Sequence, residues 1–162
     1  MSVAYIGLGS NLDAEQNLQL AFRELRNRFS VQKISSVYRS KALGFEGADF
    51  LNVVASFETE LAPNDLCTRL ELIHGLAGRR RRPEKFVSRT LDIDLLLYDQ
   101  MFLDEPPIRL PRKDVLQYSF VLKPLAEIVP DYRHPVTGKL ISDHWREFDA
   151  ASHPLTAVDL VL

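Results

Sequence analysis

The 162-residue sequence contains one cysteine, Cys67, which excludes an internal disulfide and a cysteine-rich metal site and suits a reducing compartment. Cys67 falls in a helical apolar pattern and is expected to pack as an inert core residue. Neither sign of charge is in excess. Twenty Lys and Arg against 22 Asp and Glu leave a net charge of −2, which offers no general field for nucleic acid. There is no apolar run long enough for a membrane span and no basic leader ahead of one, so neither a span nor a signal peptide is expected, and the protein is predicted to be cytoplasmic. Repeats, low-complexity tracts and long linkers are missing as well. Histidines 134, 144 and 153 lack ligand spacing and read as surface or structural groups. What is present is a 46% hydrophobic composition, enough for one well-cored domain over residues 1–162.

The most informative stretch is Arg89-Thr90-Leu91-Asp92-Ile93-Asp94-Leu95-Leu96-Leu97-Tyr98. Leu91, Ile93, Leu95 and Leu97 alternate with Thr90, Asp92, Asp94 and Leu96, the period of a strand with one buried face. Asp92 and Asp94 therefore share a face. Carboxylates two residues apart on a strand lie roughly 6.5–7 Å apart, able to flank two divalent ions spaced about 3.5–4 Å. Basic character is local and sits just upstream, in Gly78-Arg79-Arg80-Arg81-Arg82 and in Arg89 itself. Guanidinium forks match phosphate oxygens, so an arginine run beside an acidic pair suggests a polyphosphate clamp.

Around this stretch the pattern reads strand, helix, strand, strand, helix, strand. Residues 2–8 form a buried strand ending in the turn Gly9-Ser10-Asn11, which lacks the spacing of a phosphate loop and reads as structural. Asp13 and Gln16 resemble a capping box for a helix with Leu18, Ala21, Phe22, Leu25 and Phe29 on one stripe. Residues 31–38 and 50–59 read as strands. In the second of these, Leu51, Val53, Ala55 and Phe57 face one way and Asn52, Val54 and Ser56 the other. The amide of Asn52 can read the edge of a flat heterocycle, although a satisfied structural role is the commoner one for such a residue. Between the strands, residues 39–49 expose Leu43 and Phe45, consistent with a ligand lid or with a loop tucking in its own hydrophobes. Pro63 begins a helix with Leu66, Leu70, Ile73 and Ala77 inside and Gly78 after its end. A short strand at residues 101–103, a basic loop at 109–113, a helix near 120–128 and a last helix capped by Ser142 follow, and the tail from Asp149 is uninformative. The order predicts an α+β, ferredoxin-like split βαβ core: an antiparallel sheet with flanking helices in an α/β/α sandwich.

Phe86-Val87-Ser88-Arg89-Thr90-Leu91-Asp92-Ile93-Asp94 resembles the signature of the 6-hydroxymethyl-7,8-dihydropterin pyrophosphokinase family. Tyr5-Ile6-Gly7-Leu8-Gly9-Ser10-Asn11-Leu12, Val37-Tyr38-Arg39-Ser40 with Phe50-Leu51-Asn52, and Phe120-Val121-Leu122-Lys123-Pro124-Leu125 resemble other segments of it, co-linear from about residue 3 to 128. The resemblance implies Mg-dependent transfer of pyrophosphate from ATP to the pterin hydroxymethyl group, releasing AMP, in folate biosynthesis. By the same resemblance, Asp92 and Asp94 would hold two Mg²⁺ ions, with Arg79, Arg81 and Arg89 on the triphosphate and Phe86 beside the substrates. Arg79 and Arg89 would join the aspartates as catalytic groups. Ser40 belongs to the pterin-binding segment, Asn52 would read the pterin edge, Phe50 and Phe120 would sandwich its ring and Leu43 would cap it.

This chain departs from the family pattern at Val87-Ser88, at His74 in place of a glutamate, at Pro111-Arg112 in place of Pro-His, and at Gln117-Tyr118. Arg109 and Arg112 are then candidates to supply charge to ATP. These changes motivate an alternative expectation, a diverged relative that binds a pterin or related heterocycle with weak or altered transfer. The expected partners are the two small molecules, pterin and ATP, with no nucleic acid and no membrane, and the expected state is a monomer.

Overall fold

β1 (Ser2–Ser10) and β4 (Phe50–Thr59) form the centre of an antiparallel sheet, running from Ser2 opposite Thr59 to Ser10 opposite Leu51. In this computed structural model residues 1–44, 46–77 and 91–162 are described. Arg79, Arg81, Phe86 and Arg89, with Phe45, Gly78, Val87, Ser88 and Thr90, lie outside the described residues. β5 (Asp92–Tyr98) pairs with the free side of β1, and the sheet order is β5-β1-β4-β3-β8. Here β3 is Val37–Ser40 and β8 is Thr156–Val158, and β2 (Ser30–Ile34) also pairs with β4. This is the order of a split βαβ core, with the helices α1 (Ala14–Arg28) and α2 (Pro63–Leu76) as its crossovers.

The alternation on β4 places its residues as the sequence pattern predicts. Leu51, Val53, Ala55 and Phe57 join Leu18, Phe22 and Leu25 of α1 and Leu66, Leu70 and Ile73 of α2 in one core. Val54 faces a second core built from Val121, Leu122, Leu125 and Ile128 of α4 (Ser119–Ile128), Val115 of α3 (Asp114–Gln117) and Ile141 of α5 (Ile141–Glu147). Helices thus cover both faces. Among the described residues, no helix is long and apolar enough to cross a membrane.

Several local expectations are corrected. The single strand expected over residues 31–38 is interrupted at Ser35-Ser36. There Ser36 N–H and Oγ donate to Glu127 Oε2 of α4 at 2.9 and 2.8 Å, and the Tyr38 hydroxyl donates to Glu127 Oε1 at 2.7 Å. A carboxylate from the covering helix thus replaces strand pairing at the break. The capping box does not form: Asp13 sits at φ 47° with no side-chain cap bond. Ser142 lies inside α5, whose N-cap is Leu140. The strand expected at residues 101–103 is instead the hairpin β6 (Leu103–Glu105) and β7 (Ile108–Leu110), which takes Arg109 out of the expected basic loop. The tail contributes β8, paired with β3.

The strict alternation expected along β5 also breaks. Ile6 faces Leu95 and Tyr5 faces Leu97, which leaves Leu96 as an extra, bulged residue. Leu96 and Leu97 consequently both join the second core, while Tyr98 returns to the first. Leu97 is therefore not on the face of Leu91, Ile93 and Leu95.

Candidate active site

The second face of the sheet is bare where α4 begins, and the reason lies in β1. Gly9 stands between Asn52 of β4 and Asp92 of β5, and Gly7 stands between Val54 and Asp94. Two glycines in this position leave a flat floor flanked by side chains from the neighbouring strands. A methyl group on Gly9 would sit 3.5 Å from Asn52 Oδ1, and one on Gly7 would sit 3.3 Å from Leu96 Cδ1. Above this floor is a cavity of about 390 Å³, of the size that takes a small-molecule ligand.

Of the residues singled out from the sequence, Ser40, Leu43, Phe50, Asn52, Asp92, Asp94, Arg112 and Phe120 all line this one cavity. Their elements explain the convergence: β3 brings Ser40, β4 brings Phe50 and Asn52, β5 the aspartates, and the start of α4 brings Phe120. Arg109 is not brought here. It lies on β7, with Nε 3.2 Å from Asp104 Oδ1 across the hairpin and both side chains more than half exposed.

Asn52 is buried, and Nδ2 donates to Tyr38 O at 3.1 Å and to Ser40 Oγ at 2.8 Å. These bonds orient the amide so that Oδ1 lies along the floor beside Gly9, as an acceptor for a ring N–H or amino group. Leu43 is exposed at the mouth, and Phe120 stacks on Tyr118 with centroids 5.0 Å apart. Asn11 supports the structural reading of its turn, since its Nδ2 donates to Ala48 O at 3.1 Å and ties down the loop after Leu43.

The acidic end is balanced by Arg112. Its backbone N–H donates to the carbonyl of the bulged Leu96 at 2.9 Å, fixing the loop to β5. Its Nη2 lies 3.6 Å from Asp94 Oδ1 and its Nε 3.3 Å from Asp114 Oδ2. The second contact is not aligned as a hydrogen bond at Nε, and attraction to the carboxylates of Asp94 and Asp114 holds the guanidinium. Burial by itself would lower the pKa of this guanidinium, but Asp94, Asp114 and Asp92 outweigh it and hold the group above its ordinary value. Arg112 is thus a permanent cation at the Asp92 and Asp94 end of the cavity. Cys67 is half-buried against the first core, and burial followed by the charge of Asp94 pushes its thiol up, away from reactivity.

The sequence model of the 7,8-dihydro-6-hydroxymethylpterin-pyrophosphokinase family matches residues 5–130. The chain belongs to this family. It is 34% identical over 145 residues to a 2-amino-4-hydroxy-6-hydroxymethyldihydropteridine pyrophosphokinase of Aquifex aeolicus, covering 88% of this chain and 90% of that protein. The protein of the same name from Pseudomonas aeruginosa is 39% identical over 137 residues, covering 81% and 83% of the two chains. Among solved structures, a Plasmodium falciparum HPPK-DHPS superposes with a TM-score of 0.71 over 90% of this chain at 12% identity. This chain spans 43% of that one, and at such identity the likeness concerns the fold.

Set within the pyrophosphokinase family, several cavity residues went unread in the sequence. Gly7 and Gly9 read along the chain as strand and turn residues, although two glycines at i and i+2 of a strand are a pattern that leaves one face open to close approach. Lys41 and Asp114 line the cavity without any sequence pattern to mark them, and Val121 joins Phe120 of the α4 segment there. His74, in the sequence a departure from the family pattern, is buried at 3% exposure against Ile93 of β5.

Proposed function

We propose that the cavity over Gly7 and Gly9 takes the pterin at its Asn52 end and the nucleotide phosphates at its Asp92 and Asp94 end. The family reaction is transfer of pyrophosphate from ATP to the hydroxymethyl group of 6-hydroxymethyl-7,8-dihydropterin in folate biosynthesis. One observation carries the assignment: Asn52, Gly9 and Asp92 form a single row across three adjacent strands. At about 4.8 Å per strand, the heterocycle reader and the first carboxylate are roughly 10 Å apart. That separation suits a bicyclic ring with its hydroxymethyl arm directed at the phosphates.

The donor set fits magnesium. Hard carboxylate oxygens suit it, and a magnesium ion that arrives with a nucleotide uses one or two carboxylates and takes its other ligands from phosphate and water. Asp92 and Asp94 are such a pair, both facing the cavity, and among the described residues no larger group of metal-ligating side chains gathers anywhere. Neutralisation of the phosphate charge is what two such ions supply when bound.

The protein's own share is positioning. Asn52 Oδ1 and Ser40 orient the ring, Phe50 and Phe120 supply its apolar walls, and Leu43 closes over it, which excludes water that would otherwise hydrolyse ATP. Arg112 offers charge to the phosphates as they meet Asp94. The hydroxyl oxygen then attacks the β-phosphorus in line and AMP leaves. Arg79, Arg81 and Arg89 hold the triphosphate and Phe86 flanks the substrates, a part of the proposal that rests on the sequence resemblance. Every group named comes from one chain, and residues 1–162 work as a single domain and a monomer. Incubation with ATP, Mg²⁺ and the hydroxymethyl dihydropterin is expected to yield AMP and the pterin diphosphate in equal amounts, and Asp92→Ala to lose turnover. Wild-type protein that makes no AMP above a blank refutes the proposal.

A further inference from the structure

Among the described residues, β5 pairs with one strand, β1. A buried backbone N–H that points away from β1 needs an acceptor from elsewhere in the chain. At Ile93 that N–H is received by a side chain: it donates to His74 Nε2 at 2.7 Å. Ile93 is the residue between Asp92 and Asp94. The bond therefore fixes the peptides that join the two carboxylates.

His74 is well placed for this. It lies in the last turn of α2, 3% exposed, and is the one buried member of that helix that is not apolar. To accept from Ile93, Nε2 carries no proton, so the neutral ring carries its proton on Nδ1. Nδ1 lies 3.2 Å from Glu71 Oε1, one turn back on the same helix. Glu71 therefore selects the tautomer that leaves Nε2 free to accept. The apolar side chain of Ile93 is buried in the first core with Ile73 and Leu70, so the same stretch of β5 is held on two sides. Without His74 the strand would keep its pairing to β1, through Leu8 opposite Ile93, but would lose this bond at the peptide between the two aspartates.

We infer that His74 is a positioning residue for the reaction: from beside β5 it sets the spacing and direction of the Asp92 and Asp94 carboxylates toward divalent cations. The inference rests on the reading of those two aspartates as the magnesium-holding pair. Groups that hold metal ligands in place commonly affect metal affinity about 10–100-fold. An effect on the metal is the expected signature, distinct from an effect on stability.

The test compares wild type with His74→Gln, His74→Asn and His74→Leu. A glutamine amide reaches the position of Nε2 and can accept from Ile93; asparagine reaches only the position of Nδ1; leucine accepts nothing. Mn²⁺ affinity is measured by electron paramagnetic resonance with α,β-methylene-ATP present, beside the Mg²⁺ dependence of transfer, the pterin KM and the thermal midpoint. His74→Gln should stay within about threefold of wild type in metal affinity, and His74→Asn and His74→Leu should weaken it about tenfold or more, with the pterin KM unchanged. Should the leucine variant fail to fold, the Gln and Asn pair decides. Equal metal affinity in both overturns the inference, as does a fall in thermal midpoint with no change in metal affinity. A wild type that transfers pyrophosphate while all variants share its metal dependence refutes the role of His74 alone. A wild type that makes no AMP refutes the proposed function.

Discussion

Substituting Gly9 by alanine should move stability and function in opposite directions. Gly9 sits in β1 at a backbone conformation open to any residue, and a methyl group there meets Asn52 Oδ1 at 3.5 Å and Phe50 Cδ1 at 3.8 Å, ordinary contact distances. The folded state can accept it. Removing the glycine's freedom in the unfolded chain should then stabilise the protein by about 0.4–1 kcal/mol. For a chain of this size that corresponds to a rise of roughly 1–4 °C in thermal midpoint. The same methyl stands on the floor between Asn52 and Asp92, where the proposed function puts the ring. A ring lifted by that thickness loses its bond to Asn52 Oδ1, at about 1–3 kcal/mol for a buried acceptor left unmet. Pterin affinity should fall between about 5-fold and 150-fold. Calorimetric titration of the pterin, with α,β-methylene-ATP present, and a thermal melt on the same sample measure both effects. Gly7→Ala is the internal control: its methyl would lie 3.3 Å from the buried Leu96, so the core must shift and the gain in stability should disappear. An alanine at position 9 that leaves pterin affinity within twofold of wild type refutes the placement of the ring, and one that lowers the midpoint refutes the packing argument.

Asp92→Asn and Asp94→Asn keep the shape of each side chain and remove its charge, so folding should be intact while transfer falls by about three orders of magnitude, several kcal/mol of charge stabilisation being lost. A stopped assay for AMP over a range of Mg²⁺ concentration reads this, and a variant within tenfold of wild type speaks against a metal role. Arg109→Ala should leave transfer within about twofold, because its partner is the surface Asp104 and it does not line the cavity; a tenfold rise in the KM for ATP would show that the hairpin reaches the nucleotide. Glu127 carries a pH prediction. Burial alone would raise its carboxyl, but hydrogen bonds from Tyr38 and Ser36 and the charge of Lys123 hold it below the ordinary carboxylate value. Its contribution to stability is complete above the unfolded pKa and is lost as pH falls through the folded one. Urea midpoints should therefore decline in acid less steeply for Glu127→Gln than for wild type, and parallel curves would count against the effect. Its partner Tyr38, pushed up to about 12 by burial and by Glu127, stays neutral throughout that range.

The sequence alone determined the order of the main elements, the two faces of β4, and the residue types on both sides of the cavity. These follow from local chemistry: alternation marks a strand, a helical stripe marks a covering helix, and two aspartates two apart on a strand share a face. The resemblance then joined Asn52, Phe50 and Phe120 to the aspartates across long stretches of chain, and the structure brings their side chains to one cavity. What the periodicity could not show were the events that depend on a neighbour from elsewhere in the chain. The bulge at Leu96 exists only in the register between β5 and β1, and it moves Leu97 to the second core. The break at Ser35-Ser36 depends on a carboxylate from α4, 91 residues away from Ser36. Arg109 and Arg112 are similar cations in sequence, but pairing within a hairpin takes the first to the surface, while the Leu96 carbonyl holds the second beside Asp94. Gly7 and Gly9 become a binding floor only when Asn52 and Asp92 are laid on either side of them. Which residues can carry the chemistry was thus legible along the chain, whereas their separation and support are properties of strand pairing and of side chains arriving from other elements.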